Sequence, residues 1–539
     1  MSDSRVQDSQ SWPPGSVWLN EKLDGDDELI LRPQPTEDPN NPLNWPSWRK
    51  YVNFGFACLW DLLITEFLCA ATPTWGPMHR ELGFSWAILN DSYAAGCGCL
   101  GIGAILLTPL SLKFGRRPLY LLSALVTFGV SIWSAKMQTV ADLMLVNVLS
   151  CLFGALSEVI VQMTIADMFF VHQRGLMNAI FVWVSQIGSS LGGLAAGYIT
   201  DSQGWRWVWW WNVICFGALF AGLLLLCEET KYVPVLNQSS AEDVTISAVP
   251  DKVPTTDSSS IKKKDPEEAR YTIHNRPVID ANIPRKSYWQ RLSLSARSPG
   301  GFRTFGRHMF QPFVLITCFP GILYVALSYG VLVALQNAQS TTLSSRLTEP
   351  PYNFSSSGIG LIGLAPFVGV TIGSFIVGEV SDRWIVHLAR RNNGIYEPET
   401  RLWLIIPFLP LVLAGSLLFG YSIDKGLPWP LVAVGNGLAS AGVATVQTVI
   451  LTYLSDSYYD VIGDALVGVT FVRNSVSTIF VFALDPWFAV NGISNVILAI
   501  TLIATFCLSF AAVLLKWGKQ FRIHTAAQYA EYSLKQARV

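Results

Sequence analysis

Twelve separate runs of about twenty apolar residues, each long enough to cross a hydrocarbon layer as one helix, dominate the chain. Six fall near 52–74, 89–112, 118–136, 141–165, 176–199 and 207–227, and six more near 310–336, 356–378, 402–421, 429–454, 463–484 and 492–516. Two sets of six predict an all-α membrane protein, with twelve transmembrane helices in two six-helix bundles over 51–228 and 309–517. Between them, 229–308 contains "SSAEDVTISAVPDKVPTTDSSSIKKKDPEEAR". Its Ser, Lys, Asp and Pro bias cannot bury a core and predicts a mostly disordered linker. Polar tails occupy 1–50 and 518–539, and the stretch "YWQRLSL" is expected to lie on the membrane surface.

Composition agrees, since 51% of the 539 residues are hydrophobic and 14% charged, outside the range of soluble domains. The net charge of -1 hides a partition of acids and bases into tails and linker, and nothing in it points to a nucleic-acid partner. Nine cysteines lie in or beside apolar runs and read as small hydrophobic contacts, not as a disulfide framework or metal site. No P-loop, G-x-S-x-G or Cys/His metal spacing appears. "GCGCLG" formally spells G-x-G-x-x-G at Gly96, Gly98 and Gly101, but inside an apolar span these glycines serve helix packing, because dinucleotide binding needs a preceding strand. An enzyme is not expected, and neither is a cofactor.

Lys and Arg in short loops favour the cytoplasmic side. One set of connections carries Lys113, Arg116, Arg117, Arg174, Arg383, Arg390, Arg391 and Arg401, while the other is sparse. Both tails and the linker are therefore expected in the cytosol, and the sequon at Asn353 outside, open to glycosylation.

Equivalent places in the two halves carry related loops: "TPLSLKFGRRP" (108–118) after span 2 and "GEVSDRWIVHLARR" (378–391) after span 8. Here the chain resembles the major facilitator superfamily, whose loop pattern G-x-x-x-D-R-x-G-R-R is echoed in both halves. The first copy keeps Lys113, Gly115, Arg116 and Arg117 but has Thr108 and Leu112 at the Gly and Asp positions; the second keeps Gly378, Asp382 and Arg383. The resemblance implies a cytoplasmic gate at these residues. "GSSLGGLAAG" (188–197) is similar to the span-5 pattern G-x-x-x-G-P-x-x-G-G of the twelve-span drug:proton antiporter branch at Gly188, Gly192 and Gly197, with Gly193 and Ala196 departing from it. Small residues at helical spacing also let helices approach closely, so packing alone accounts for them. "DPNNPLNWPSWRK", "GWRWVWWW" and "YLSDSYYDVIGDALVGVTFVRN" resemble landmarks of fungal members of that branch.

The resemblance implies that spans 1, 4, 7 and 10 line a cavity between halves that rock alternately. Asp61 and Glu66 in span 1 and Glu158 in span 4 are then the candidate substrate and proton sites, because ionisable groups at membrane depth are costly and mark ion or substrate paths. The five-residue step from Asp61 to Glu66 is about 140° around a helix, so the two need not share a face. The competing reading makes each acid the satisfied partner of a nearby polar group, with Arg473, beside Asn474 in span 11, as the ion-pair candidate. Trp60, Trp75, Tyr324, Tyr329, Gln336, Asn436 and Gln447 are cavity candidates, and aromatic faces attract cations. Packing or interfacial anchoring is the alternative for each aromatic.

These features predict a proton-coupled secondary transporter in the plasma membrane, working as a monomer on a small organic compound. Efflux of a drug or secondary metabolite is the leading expectation, and uptake of polyamines or other organic cations the alternative. A non-transporting nutrient sensor on the same fold is weighed against by the short C-terminal tail.

Overall fold

The computed structural model describes residues 17–18, 38–232, 284–293, 302–391, 395–458 and 461–536. Among the described residues, twelve helical segments are long and apolar enough to span a membrane. Spans 1 to 6 are Ser47–Leu82, Trp86–Phe114, Arg117–Ala135, Val140–Met168, Ile180–Gln203 and Trp205–Leu226. Spans 7 to 12 are Pro320–Arg346, Ser356–Val377, Pro398–Asp424, Trp429–Ser457, Ile462–Asn491 and Ile493–His524. Because the number is even, both tails leave from one end of the bundle, called here the tail-bearing end; the loops at 82–86, 203–205, 346–356 and 491–493 lie at the far end.

Each half has its own apolar core. Trp60, Phe67, Ile160, Trp209 and Phe216 centre the first, and Phe319, Leu332, Phe419, Val446 and Tyr453 the second. Helix backbones come close where a side chain is absent. A Cβ on Gly103 would lie 2.2 Å from Leu152 O, joining spans 2 and 4, and one on Gly415 would lie 2.2 Å from Ala439 N, joining spans 9 and 10. Such approaches replace the hydrophobic driving force that lipid does not provide.

Several boundaries differ from the sequence reading. The apolar run 310–336 holds Pro320, which cannot donate to the carbonyl of residue 316. It divides the run into a helix Phe302–Cys318 and a later-starting span 7. The same helix begins within the stretch assigned to the linker, while 233–283 and 294–301 lie outside the described residues. Span 4 is interrupted at Ala155 and Leu156, so that a new helix, Ser157–Met168, begins there. "YWQRLSL" forms a four-residue helix, Tyr288–Arg291. The loop after span 8 is a continuation of helix Leu364–Arg391. It carries Gly378, Asp382 and Arg383, whose side chains lie outside the described residues.

At the tail-bearing end, "EETK" (228–231) straps the first half together. The Glu228 carboxylate accepts from Arg49 Nε at 2.9 Å, and its backbone N–H donates to Asn53 Oδ1 at 2.7 Å. Glu229 accepts from the backbone N–H groups of Arg116 (2.9 Å), Arg117 (3.1 Å) and Lys231 (2.9 Å). The Lys231 amine reaches back to the carbonyls of Leu112 and Lys113, at the C-terminal end of span 2, where a cation complements the helix dipole. Gly115 makes room for this carboxylate: its φ is +106°, and a Cβ there would lie 2.3 Å from Glu229 Oε2. Arg116 also pairs with Asp167 at 3.0 Å, and Arg117 donates to Leu224 O at 2.7 Å. The acid missing at Leu112 thus has a counterpart from a distant part of the chain. In the second half Arg522, 1% exposed, pairs with Glu399 at 2.6 Å, and Arg401 pairs with Asp456.

Two measurements check these contacts. Gly415→Val, which must push span 10 away, is expected to lower stability by about 1–3 kcal/mol and reduce the thermal midpoint of the detergent-purified protein. Gly129→Ala, where a Cβ would meet nothing within 4 Å, is the neutral control. Glu229→Ala leaves three N–H groups without their carboxylate and is expected to cost about 1.5–3 kcal/mol, read by the same melt.

Candidate functional site

The halves meet through spans 5 and 8 and through spans 2 and 11. At the far end Asp485 accepts from Asn90 Nδ2 at 2.9 Å, and Asp201 accepts from the Ser357 N–H at 2.8 Å. A Cβ on Gly197 would lie 2.4 Å from Ser356 O. On the tail-bearing side an apolar cluster of Ile105, Val159 and Val467, with Met163 and Phe471 against it, fills the seam. These contacts bound a cavity of about 240 Å³ between the halves.

The wall of that cavity mixes apolar side chains, among them Leu68, Leu343, Ile359 and Val370, with polar ones, and carries no charged residue. Span 7 contributes Gln336, Asn337, Gln339, Ser340 and Ser344, a run of amides and hydroxyls inside an apolar helix; span 10 adds Asn436 and Ser440. Across the seam stand Thr72, Tyr93, Gln186 and Ser189. The amides are held by hydrogen bonds to neighbouring spans. Gln447 donates to Gln336 Oε1 at 3.2 Å, Tyr93 donates to Asn337 Oδ1 at 3.2 Å, and Asn337 donates to Ser477 Oγ at 2.7 Å. Such a wall can orient a solute through hydrogen bonds while charges stay outside it.

The three membrane acids lie off this wall. Asp61, 1% exposed, faces span 5 and accepts a hydrogen bond from the Ser185 hydroxyl, with Ser157 as a second partner. Glu66 points between spans 5 and 6: Asn212 Nδ2 donates to it at 3.4 Å, and it lies where a Cβ on Gly192 would fall, 2.6 Å from its Cγ. The pair therefore occupies two different faces. Gly188 has a similar packing place, since a Cβ there would lie 2.2 Å from Thr65 Oγ1.

Glu158 crosses the seam. It sits in the first turn of the helix that restarts after the break in span 4, a position where unsatisfied N–H groups favour a carboxylate. Its Oε1 forms an ion pair with Arg473 of span 11, and its Oε2 is buried without a hydrogen-bond partner. Arg473 in turn lies 5.1 Å from the centre of the Tyr329 ring. Ser157, the second partner of Asp61, directly precedes Glu158 in the helix that restarts span 4. A chain of ionisable groups thus runs from span 1 through span 4 to span 11, at the edge of the cavity nearer the tails.

The remaining sequence candidates fall elsewhere. Trp60 is fully buried in the core of the first half, edge-on to Tyr120 at 4.8 Å, and Trp75 packs edge-on to Tyr93. Tyr324 belongs to the core of the second half, and Tyr329 serves Arg473 instead of the cavity wall. Asn474 packs against Gly101, whose Cβ would lie 3.3 Å from its own. The residues that sequence reasoning missed are Asn337, Gln339, Ser340, Gln186 and Ser189. The signal was present: in span 7 positions 336, 339, 340 and 344 are polar, a helical spacing that puts one hydrophilic stripe on an apolar helix.

Comparison with known proteins accords with this geometry. The family description "Major Facilitator Superfamily" matches residues 56–458. An uncharacterised MFS-type transporter of Schizosaccharomyces pombe is 30% identical over 528 residues, covering 94% of this chain and 90% of that protein. Protein HOL1 of Saccharomyces cerevisiae is 28% identical, covering 98% and 96%. Among solved structures, a D-xylose-proton symporter superposes with a TM-score of 0.56 at 14% identity, over 86% of this chain and 97% of its own. A peptide transporter in complex with sulfate gives 0.58 at 12%, over 88% and 96%. Twelve spans, a polar cavity between two halves and a family match across most of both halves lead to one conclusion: this chain belongs to the Major Facilitator Superfamily of membrane transporters.

Proposed function

We propose that the protein is a proton-coupled secondary transporter that carries a small organic, cationic or amphipathic compound through the central cavity by alternating access. The observation that carries this reading is the ion pair between Glu158 and Arg473, which joins the halves beside the cavity. A charge at membrane depth is costly without a partner, so the intact pair favours the state in which the seam is closed there. A proton on Glu158 removes the attraction and leaves Arg473 with Tyr329. Proton binding is then linked to which end opens, since a ligand shifts a conformational equilibrium through its differential affinity for the two states. Asp61, with its serine partners, is a second stop for the proton.

Export of a drug or secondary metabolite is the proposed direction, resting on the similarity to the drug:proton antiporter branch. The uncharged amide and hydroxyl wall suits the polar part of an amphipathic compound. Uptake of polyamines or other organic cations is the second reading, favoured by Glu158 Oε2, a buried carboxylate oxygen without a hydrogen-bond partner that an ammonium group could occupy. The protein is proposed to work as a monomer in the plasma membrane, with both tails in the cytosol.

Labelled spermidine and an amphipathic fluorescent cation, followed in cells lacking their own carriers, separate the directions. Export predicts no spermidine accumulation, and dye retention that rises at least about tenfold, a change of about 1.4 kcal/mol, on adding a protonophore or on Glu158→Gln at matched expression. Spermidine uptake that collapses on either treatment would reverse the direction. Transport of either compound that ignores both treatments would sink the coupling reading. Removing both charges, Glu158→Gln with Arg473→Gln, is expected to restore folding stability relative to Glu158→Gln alone, because an unpaired buried arginine is worse than none.

Asn353, exposed on the far-end loop, tests the orientation. If the tails are cytosolic, glycosidase treatment shifts the electrophoretic mobility of the protein made in yeast, and Asn353→Gln removes that shift.

A further inference from the structure

A second cavity, of about 470 Å³, opens on the tail-bearing end, well away from the transport cavity. Its walls come from the segment leading into span 1 (Pro39, Asn40, Asn44, Pro46), from Trp48 in the first turn of that span, and from the described stretch 284–293 of the central linker. Four cations face it: Arg49, Arg285, Lys286 and Arg291. Against them stands one carboxylate, Glu228, which is shared by Arg49 at 2.9 Å and Arg291 at 3.7 Å. The nearby Asp38 is engaged by Asn40 at 2.8 Å and by the Tyr232 hydroxyl at 2.9 Å. Arg285 and Lys286 are exposed and have no carboxylate partner among the described residues, and Arg291 Nε is buried without a hydrogen-bond partner. The two walls are pinned together, since the Lys286 N–H donates to Asn40 Oδ1 at 2.9 Å and Asn40 Nδ2 donates to Pro284 O at 3.1 Å.

The surroundings of this basic pocket are those of a membrane interface. Trp289 is 77% exposed and Trp48 67%, and Tyr51 and Tyr288 are exposed beside them. The Tyr288 hydroxyl donates to Leu225 O at the end of span 6, where Leu224, Leu225 and Leu226 face outward. Indole rings prefer the headgroup level of a bilayer, which places the cations at the depth of lipid phosphates.

We propose that this pocket binds the headgroup of an anionic glycerophospholipid from the leaflet at the tail-bearing end. The guanidinium groups take the phosphodiester oxygens, the Arg285 and Lys286 charges select a net negative headgroup, and the acyl chains lie along the leucines closing span 6. Bound lipid would bridge the segment before span 1 and the stretch 284–293 of the linker, independently of the direction of transport.

Native mass spectrometry of the full chain released from nanodiscs tests this. From phosphatidylcholine discs containing phosphatidylserine, the protein is expected to retain the serine lipid preferentially. Arg285→Gln with Lys286→Gln, both exposed and therefore neutral for folding by thermal melt, is expected to weaken that preference by about fivefold per cation removed. Trp289→Ala is expected to reduce retention of both lipids. Equal retention of the two lipids, or an unchanged preference in the double variant, would overturn the proposal. So would displacement of the retained lipid by glycerol phosphate or inorganic phosphate as effective as that by phosphatidylserine, which would make the site one for a soluble anion.

Discussion

A peptide group in hydrocarbon finds no water, so each N–H and C=O must be satisfied within its own segment. That constraint makes the spans helical and leaves only side chains to join them. Lipid is as apolar as leucine, so helices associate through close fit instead of hydrophobic sequestration. The glycines at 103, 369, 415 and 435 lie where a Cβ would meet neighbouring backbone at 2.0–2.6 Å. The same economy operates between halves, where Gly197 meets Ser356 and Gly101 meets Phe471. Close backbone contact at Gly197 therefore helps close the far end, and the cavity lies where the polar residues of span 7 face those of its neighbours.

Charges follow from the same constraint. Among the described residues most ion pairs gather at the tail-bearing end, where Arg116 and Asp167 keep some exposure to water, whereas Arg522 and Glu399 are buried and joined by two hydrogen bonds, at 2.8 and 2.6 Å. Glu158 and Arg473 are different because one comes from each half. A pair within one half stabilises that half whatever the other does. A pair across the seam contributes only while the seam is closed, so its attraction depends on how the two halves sit.

Twelve spans and two bundles were legible because a membrane span is a local property of about twenty residues. The packing glycines were legible for the same reason, as small residues at helical spacing. Span 7 was misplaced because apolarity does not register a helix break, whereas Pro320 does. The acids could be identified by type but not by direction. Asp61 and Glu66 differ in azimuth by a known angle, yet which face meets the cavity depends on how span 1 packs against spans 5 and 6. The aromatic candidates failed on the same point: Trp60 lies one residue from Asp61 and faces a core. The polar stripe of span 7 was readable and carried no charge to draw attention to it.

The strap at 228–231 shows why a broken motif is weak evidence of a lost contact. In the family pattern the acid precedes the basic residues within the loop, and Leu112 stands at that place. The physical requirement is a carboxylate near the N–H groups that open span 3, where the helix dipole favours negative charge. Glu229 meets it from the end of span 6, and Gly115 admits the carboxylate because it carries no Cβ. The loop's glycine and arginines therefore retain a reason to stay although their sequence neighbour has changed. Because the acid comes from the segment that leaves span 6, it ties the end of span 6 to the N-terminus of span 3. A carboxylate within the loop itself would join only spans 2 and 3.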